Sequence, residues 1–283
     1  MNQTWYSLYL PMNDSESVAG ALRALLEARG FRPYDPFPGG TGTPTGLRES
    51  VRQFVAPAQN GWVRVLGQPA ETILPAFSQE TGLPVIYAWL TEKSGGLAVF
   101  REGERLDDPK AFQSYLRPDS SPEQLELAFE GKLPVPVLDS DEPLATGIGA
   151  DALPPDVRRF AKDKGVDECQ ASRLFKKLSA SLFGKLGGGG ESKKEQEQAR
   201  ALVMGGKLDL WNSLHGQRVR AIAGLLTLPD NWRLPTWETV RDAYHVHRLR
   251  ERSPRMPLLP GDKEALNAVP DALSYLPVYL GLS

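Results

Sequence analysis

Arg241, His245, Arg248 and Arg252 recur at spacings of four, three and four residues. On a helix these spacings put all four side chains on one face. Guanidinium groups aligned with an imidazole can grip a phosphate, a carboxylate or an acidic partner. Glu238, Asp242 and Glu251 lie in the same stretch, at separations that allow local ion pairs along a helix. A solvated, self-paired face is therefore the plainer reading.

A second basic group lies between residues 154 and 186. Ala161, Gly165, Val166, Ala171 and Leu174 follow a pattern that resembles a helix-turn-helix, in which a small residue lets two helices cross and a glycine makes the turn. The resemblance implies a second helix presented to the DNA major groove. Arg158, Arg159, Lys162, Arg173, Lys176 and Lys177, with Lys164 and Lys185, then stand where phosphates could be met. Lys164 departs from the pattern, because the position before the glycine is usually small or apolar. Asp167 and Glu168 would repel phosphate and suit the positive end of a helix instead. A helical hairpin with its lysines in solvent competes with the DNA reading.

No metal or cofactor signature is expected. His245 and His247 are two residues apart, so on a helix they point to different sides, unlike the i,i+4 pair that chelates zinc. One cysteine, Cys169, rules out an internal disulfide and a cysteine-based zinc site. The glycine-rich run at 39–46 lacks the Lys-Ser/Thr of a P-loop and follows no strand directly. It reads as a flexible connection, able to act as a lid over a sheet. Trp5, Tyr6, Tyr9, Trp62, Tyr87 and Trp89 fall on candidate strands and could stack bases, but burial under helices is the simpler use.

Two kinds of element must hold these residues. Through about residue 108, β-type runs alternate with two amphipathic stripes. Strands are expected at Thr4–Leu10, 51–56, 62–66, 85–91 and 97–101, with a short one at 104–106. Helices are expected after Asp14 or Ser15 and over 72–81. The order β-α-β-β-α-β resembles a ferredoxin-like sandwich with an extra strand or two, which implies both helices on one face of an antiparallel sheet. After residue 154 helical stripes dominate, at 208–226 and 237–251 among others. The expected organisation is an α+β domain over 1–120, an acidic proline-rich connection over 121–153 and a mainly helical domain over 154–283. The apolar tail, 272–282, needs a core or a partner to cover it.

Charge follows the same division. Residues 121–153 carry 1 basic and 7 acidic side chains, while residues 154–186 carry 8 and 4. Neighbouring segments of opposite sign can neutralise each other, or the basic one can face a partner. Residues 1–12 lack the basic flank and apolar core of a secretory leader. No apolar run approaches the roughly 18–20 residues that span a bilayer, so a cytoplasmic location is expected. Three functions remain open. The leading expectation is a non-enzymatic protein that binds or regulates a protein partner, without a cofactor. The others are a DNA-binding regulator using 154–186, and a small anionic-ligand binder or enzyme with a pocket between the modules.

Overall fold

The computed structural model describes residues 4–136, 138, 210–255, 257–259 and 261–283. Tyr6, Leu8 and Leu10 alternate with Trp5, Ser7 and Tyr9 along strand β1 (Thr4–Leu10), so each set faces one side of the sheet. Asp14 accepts the amide N–H groups of Glu16 and Ser17 at 3.0 and 3.1 Å and starts helix α1 (Ser15–Glu27). Past its end the chain turns at Gly30, with φ of 89°, into the two-residue strand β2 (Arg32–Pro33).

Strands β3 (Glu49–Val55) and β4 (Val63–Leu66) make the first hairpin. Asn60 and Gly61 supply its positive φ angles, 51° and 80°. Helix α2 (Leu74–Thr81) starts with Pro75 in its first turn and ends on Gly82 in the left-handed region. Strands β5 (Val85–Thr91), β6 (Gly95–Arg101) and β7 (Glu104–Leu106) then form a meander. A capping box between Ser121 and Gln124 opens α3 (Pro122–Phe129).

After the segment 139–209, Ser213 caps α4 (Leu214–Leu225). This helix is shorter than the 208–226 expected, because residues Leu210–Asn212 form a 3-10 turn before the cap. Thr236 caps α5 (Trp237–Arg252), and α6 (Asp262–Ala268) follows. The tail becomes strand β8 (Leu276–Leu282).

The result is a mixed helix-and-sheet fold around eight antiparallel strands in the order β2-β8-β3-β4-β1-β5-β6-β7. One face packs Leu8, Val65 and Tyr87 against Val18, Leu22 and Leu26 of α1 and Leu74 and Phe77 of α2. The other face is covered in two parts. Over β5 and β6, Ile86, Leu97 and Val99 meet Val219 and Ile222 of α4 and Leu125 of α3. Over β3 and β8, Phe54 and Tyr279 meet Val240, Ala243 and Tyr244 of α5. Each fully buried side chain of this size contributes about 1.5–3 kcal/mol relative to exposure.

The expected boundary between an α+β domain and a helical domain is not where the chain divides. Residues 210–283 belong to one compact unit with residues 1–139. The physical reason is β8. Its register runs the full length of β3, from Glu49 opposite Leu282 to Val55 opposite Leu276, so the apolar tail completes the N-terminal sheet. Pro277, which has no amide to donate, sits where β8 has no β2 neighbour, since β2 pairs only with Leu280 and Gly281. Among the described residues, no helix is long and apolar enough to cross a membrane.

Candidate functional site

The cleft beside the first half of α5 is built by three elements. Trp237, Arg241 and His245, spaced by four, form the stripe of α5 that lines it. Arg52 comes from β3, and its Cα lies opposite that of Tyr279 on β8. Tyr34 follows β2 and donates its backbone N–H to the Tyr279 carbonyl at 3.0 Å. Two cavities meet along this line, of about 390 and 200 Å³. Arg52 and Trp237 line both. The larger adds Thr4, Tyr6, Ser50, Gln68 and Glu238. The smaller adds Tyr34, Thr43, Arg241, Asp242, His245 and Tyr279.

Two arginines, Arg52 and Arg241, and two carboxylates, Glu238 and Asp242, share this lining. Arg52 Nε donates to the Tyr34 hydroxyl at 3.1 Å, which fixes the guanidinium at the seam between the cavities. The Arg241 guanidinium lies 5.0 Å from the centre of the Trp237 ring and pairs with Asp242 at 2.6 Å. Tyr279 is 5% exposed, and burial pushes its hydroxyl up, partly offset by Arg241, while Tyr34 raises it and Arg52 and Trp237 lower it. The phenol is therefore a neutral donor at ordinary pH. The Trp237 Nε1 and Tyr279 hydroxyl groups are both buried without a hydrogen bond of normal geometry. Buried donors of this kind are uncommon and call for a specific explanation.

Glycine sets the shape of the seam. Gly67 ends β4 with φ of 103°. A Cβ there would lie 2.5 Å from the Arg52 carbonyl oxygen and 2.8 Å from Trp237 Cδ1. The absent side chain is what lets the indole lie against the end of the strand.

The four basic residues proposed from spacing separate along α5. Arg241 and His245 line the smaller cavity. Arg248 turns to the glycine-rich segment, where its Nη2 meets Asp35 Oδ2 and the Pro38 carbonyl, both at 3.3 Å. Arg252 is the last residue of α5 and is exposed. The glycine-rich segment closes around Asp35. Its backbone N–H donates to Thr41 Oγ1 at 2.9 Å, its Oδ1 accepts from Phe37 at 3.0 Å, and its carbonyl accepts from Gly42 at 2.8 Å. Phe37 is anchored among Phe54, Tyr244 and Tyr279.

Arg158, Arg159, Lys162, Arg173, Lys176 and Lys177, the proposed DNA or partner contacts, lie outside the described residues. Of the aromatic strand residues, Trp5, Tyr9, Trp62 and Tyr87 are buried, while Tyr6 and Trp89 are half-buried. Among the described residues, no group of three or more His, Cys, Asp or Glu side chains could hold a metal ion.

Sequence spacing missed Arg52, Tyr34, Trp237 and Tyr279. Trp237 was within reach of it, one helical turn before Arg241. The other three meet through β3–β8 and β2–β8 pairing across more than two hundred positions, which no local pattern carries. Compared with protein families, with curated proteins and with solved structures, the chain matches none.

Proposed function

We propose that this chain is a cytoplasmic binding protein for a small anionic molecule with a planar aromatic part, held in the α5 cleft. The carrying observation is the convergence of donors at the seam of the two cavities. Arg52, which forms no ion pair among the described residues, brings charge to the seam, and Arg241, paired with Asp242, lies beside it. A phosphate or carboxylate supplies the acceptor oxygens that such a set lacks. The larger cavity, with Trp237 and Tyr6 in its lining, suits the aromatic part.

The frame for this site reads as a ferredoxin-like core. The strand order β3-β4-β1-β5, with α1 and α2 packed on one face, supports that reading. The apolar tail, which pointed towards a protein partner, has its apolar side chains covered within the sheet as β8, so the cleft carries the functional reading.

Calorimetric titration of the full chain with inorganic phosphate and with phenyl phosphate tests this. Phenyl phosphate should bind more tightly than phosphate. Arg52→Gln should weaken it by roughly 10–100-fold, the equivalent of one charged hydrogen bond of about 1.5–3 kcal/mol, with the unfolding midpoint little changed. Absence of heat with both ligands at millimolar concentration, in a folded sample, would remove the proposal.

A further inference from the structure

The two cavities of the α5 cleft hold their charges differently. In the smaller one, Arg241 and Asp242 pair with each other at 2.6 Å, so their charges cancel locally. In the larger one, Arg52 of β3 and Glu238 of α5 share the lining. Among the described residues, neither forms an ion pair, with the other or with a third group. The cavity they line, about 390 Å³, is large enough for a small organic molecule.

Both groups are placed by the fold. Arg52 is held at the seam by its hydrogen bond to the Tyr34 hydroxyl at 3.1 Å. Thr236 caps α5 by accepting the Thr239 N–H at 3.3 Å, which sets Glu238 in the first helical turn. A carboxylate there complements the helix dipole. The dipole accounts for an acid in that turn. It does not account for an acid that lines a cavity together with an unpaired guanidinium.

Opposite charges that share a cavity without neutralising each other match a ligand that carries both. A purely anionic ligand would gain from Arg52 and be repelled by Glu238. A protonated amine has three N–H donors to satisfy. The Glu238 carboxylate, the Ser50 hydroxyl and the Gln68 side-chain carbonyl can accept them, and all three residues line the larger cavity but not the smaller. The amine therefore belongs in the larger cavity, with the anion at the seam against Arg52.

We propose that the cleft selects a zwitterion: an aromatic molecule with one anionic group and one protonated amine, the amine chosen by Glu238. This inference rests on the reading of the cleft as an anion site and adds the second charge.

Calorimetry on the full chain at neutral pH, where an alkylamine is protonated, compares O-phosphotyramine with 4-ethylphenyl phosphate, which lacks only the amine. The amine should tighten binding roughly 3–10-fold, as one charge-assisted contact does. Glu238→Gln should remove that gain and bind 4-ethylphenyl phosphate slightly more tightly, because a repelling charge is gone. Glu238 is exposed, so this variant should fold, with a melting temperature close to that of the parent chain. Equal affinities for the two ligands in the parent chain overturn the zwitterion and leave the anion site standing. A gain that survives in Glu238→Gln and is lost in Asp242→Asn overturns the role of Glu238. Absence of binding by both ligands removes the anion site and the zwitterion together.

Discussion

At the scale of single residues, the structure depends on where charge and phenol groups are placed. Burial pushes the hydroxyls of Tyr9, Tyr87, Tyr275 and Tyr279 above their ordinary value of 10.0, Tyr275 to about 12. Folding therefore favours the neutral phenols, and their contribution is complete below pH 10. It is lost as pH rises through the folded-state values. Equilibrium unfolding followed by circular dichroism should show stability falling from about pH 10 upward, together with the phenolate absorbance step. Tyr275→Phe should lose less stability between pH 10 and about 12. A flat stability profile to pH 12 would contradict the assigned burial. Gly67 gives a second test. Its φ of 103° and the 2.8 Å approach of Trp237 leave no room for a methyl group. Gly67→Ala should cost about 1–3 kcal/mol in urea unfolding and weaken phenyl phosphate binding, because the indole must move.

At the scale of elements, local chemistry was legible and long-range pairing was not. Asp14, Ser121 and Thr236 are capping residues, and Asn60-Gly61 makes a turn, for reasons confined to a few neighbouring residues. The Arg241-His245 part of the cleft was legible for the same reason, since helical spacing is local. Strand β8 was hidden. Pro277 and Gly281 interrupt its alternation, and its partner β3 lies more than two hundred positions earlier. With β8 unseen, Tyr279 could not be placed beside Arg52, and the cleft could not be assembled. Because β8 stands between β2 and β3, its apolar side chains belong to the main core rather than to an accessory layer. Leu280 is fully buried there. Leu280→Ala should cost about 2–5 kcal/mol in chemical denaturation. A loss below about 1 kcal/mol would mean that the strand is only loosely held.

At the scale of the whole molecule, the long segment leaves and re-enters one compact unit at a single place. Asn212 Oδ1 accepts the Leu138 N–H at 3.0 Å, and Asn212 Nδ2 donates to the Leu138 carbonyl at 3.1 Å. Arg220 donates to the Pro136 carbonyl beside this pair. The amide thus imitates a backbone partner and holds the two chain ends together. Joining ends that already meet adds little loop-closure cost, and the compact unit of residues 1–139 and 210–283 keeps its own apolar clusters on both sheet faces. Replacing residues 140–209 with a short glycine-serine linker should leave one cooperative thermal transition and unchanged phenyl phosphate binding. The same variant isolates the basic segment. DNA affinity owed to Arg158, Arg159, Lys162, Arg173, Lys176 and Lys177 should be present in the full chain, fall steeply with salt, and be absent after excision. If the excised chain fails to unfold cooperatively, residues 1–139 and 210–283 are not self-sufficient. If the full chain shows no duplex binding even at low salt, the basic segment has another use.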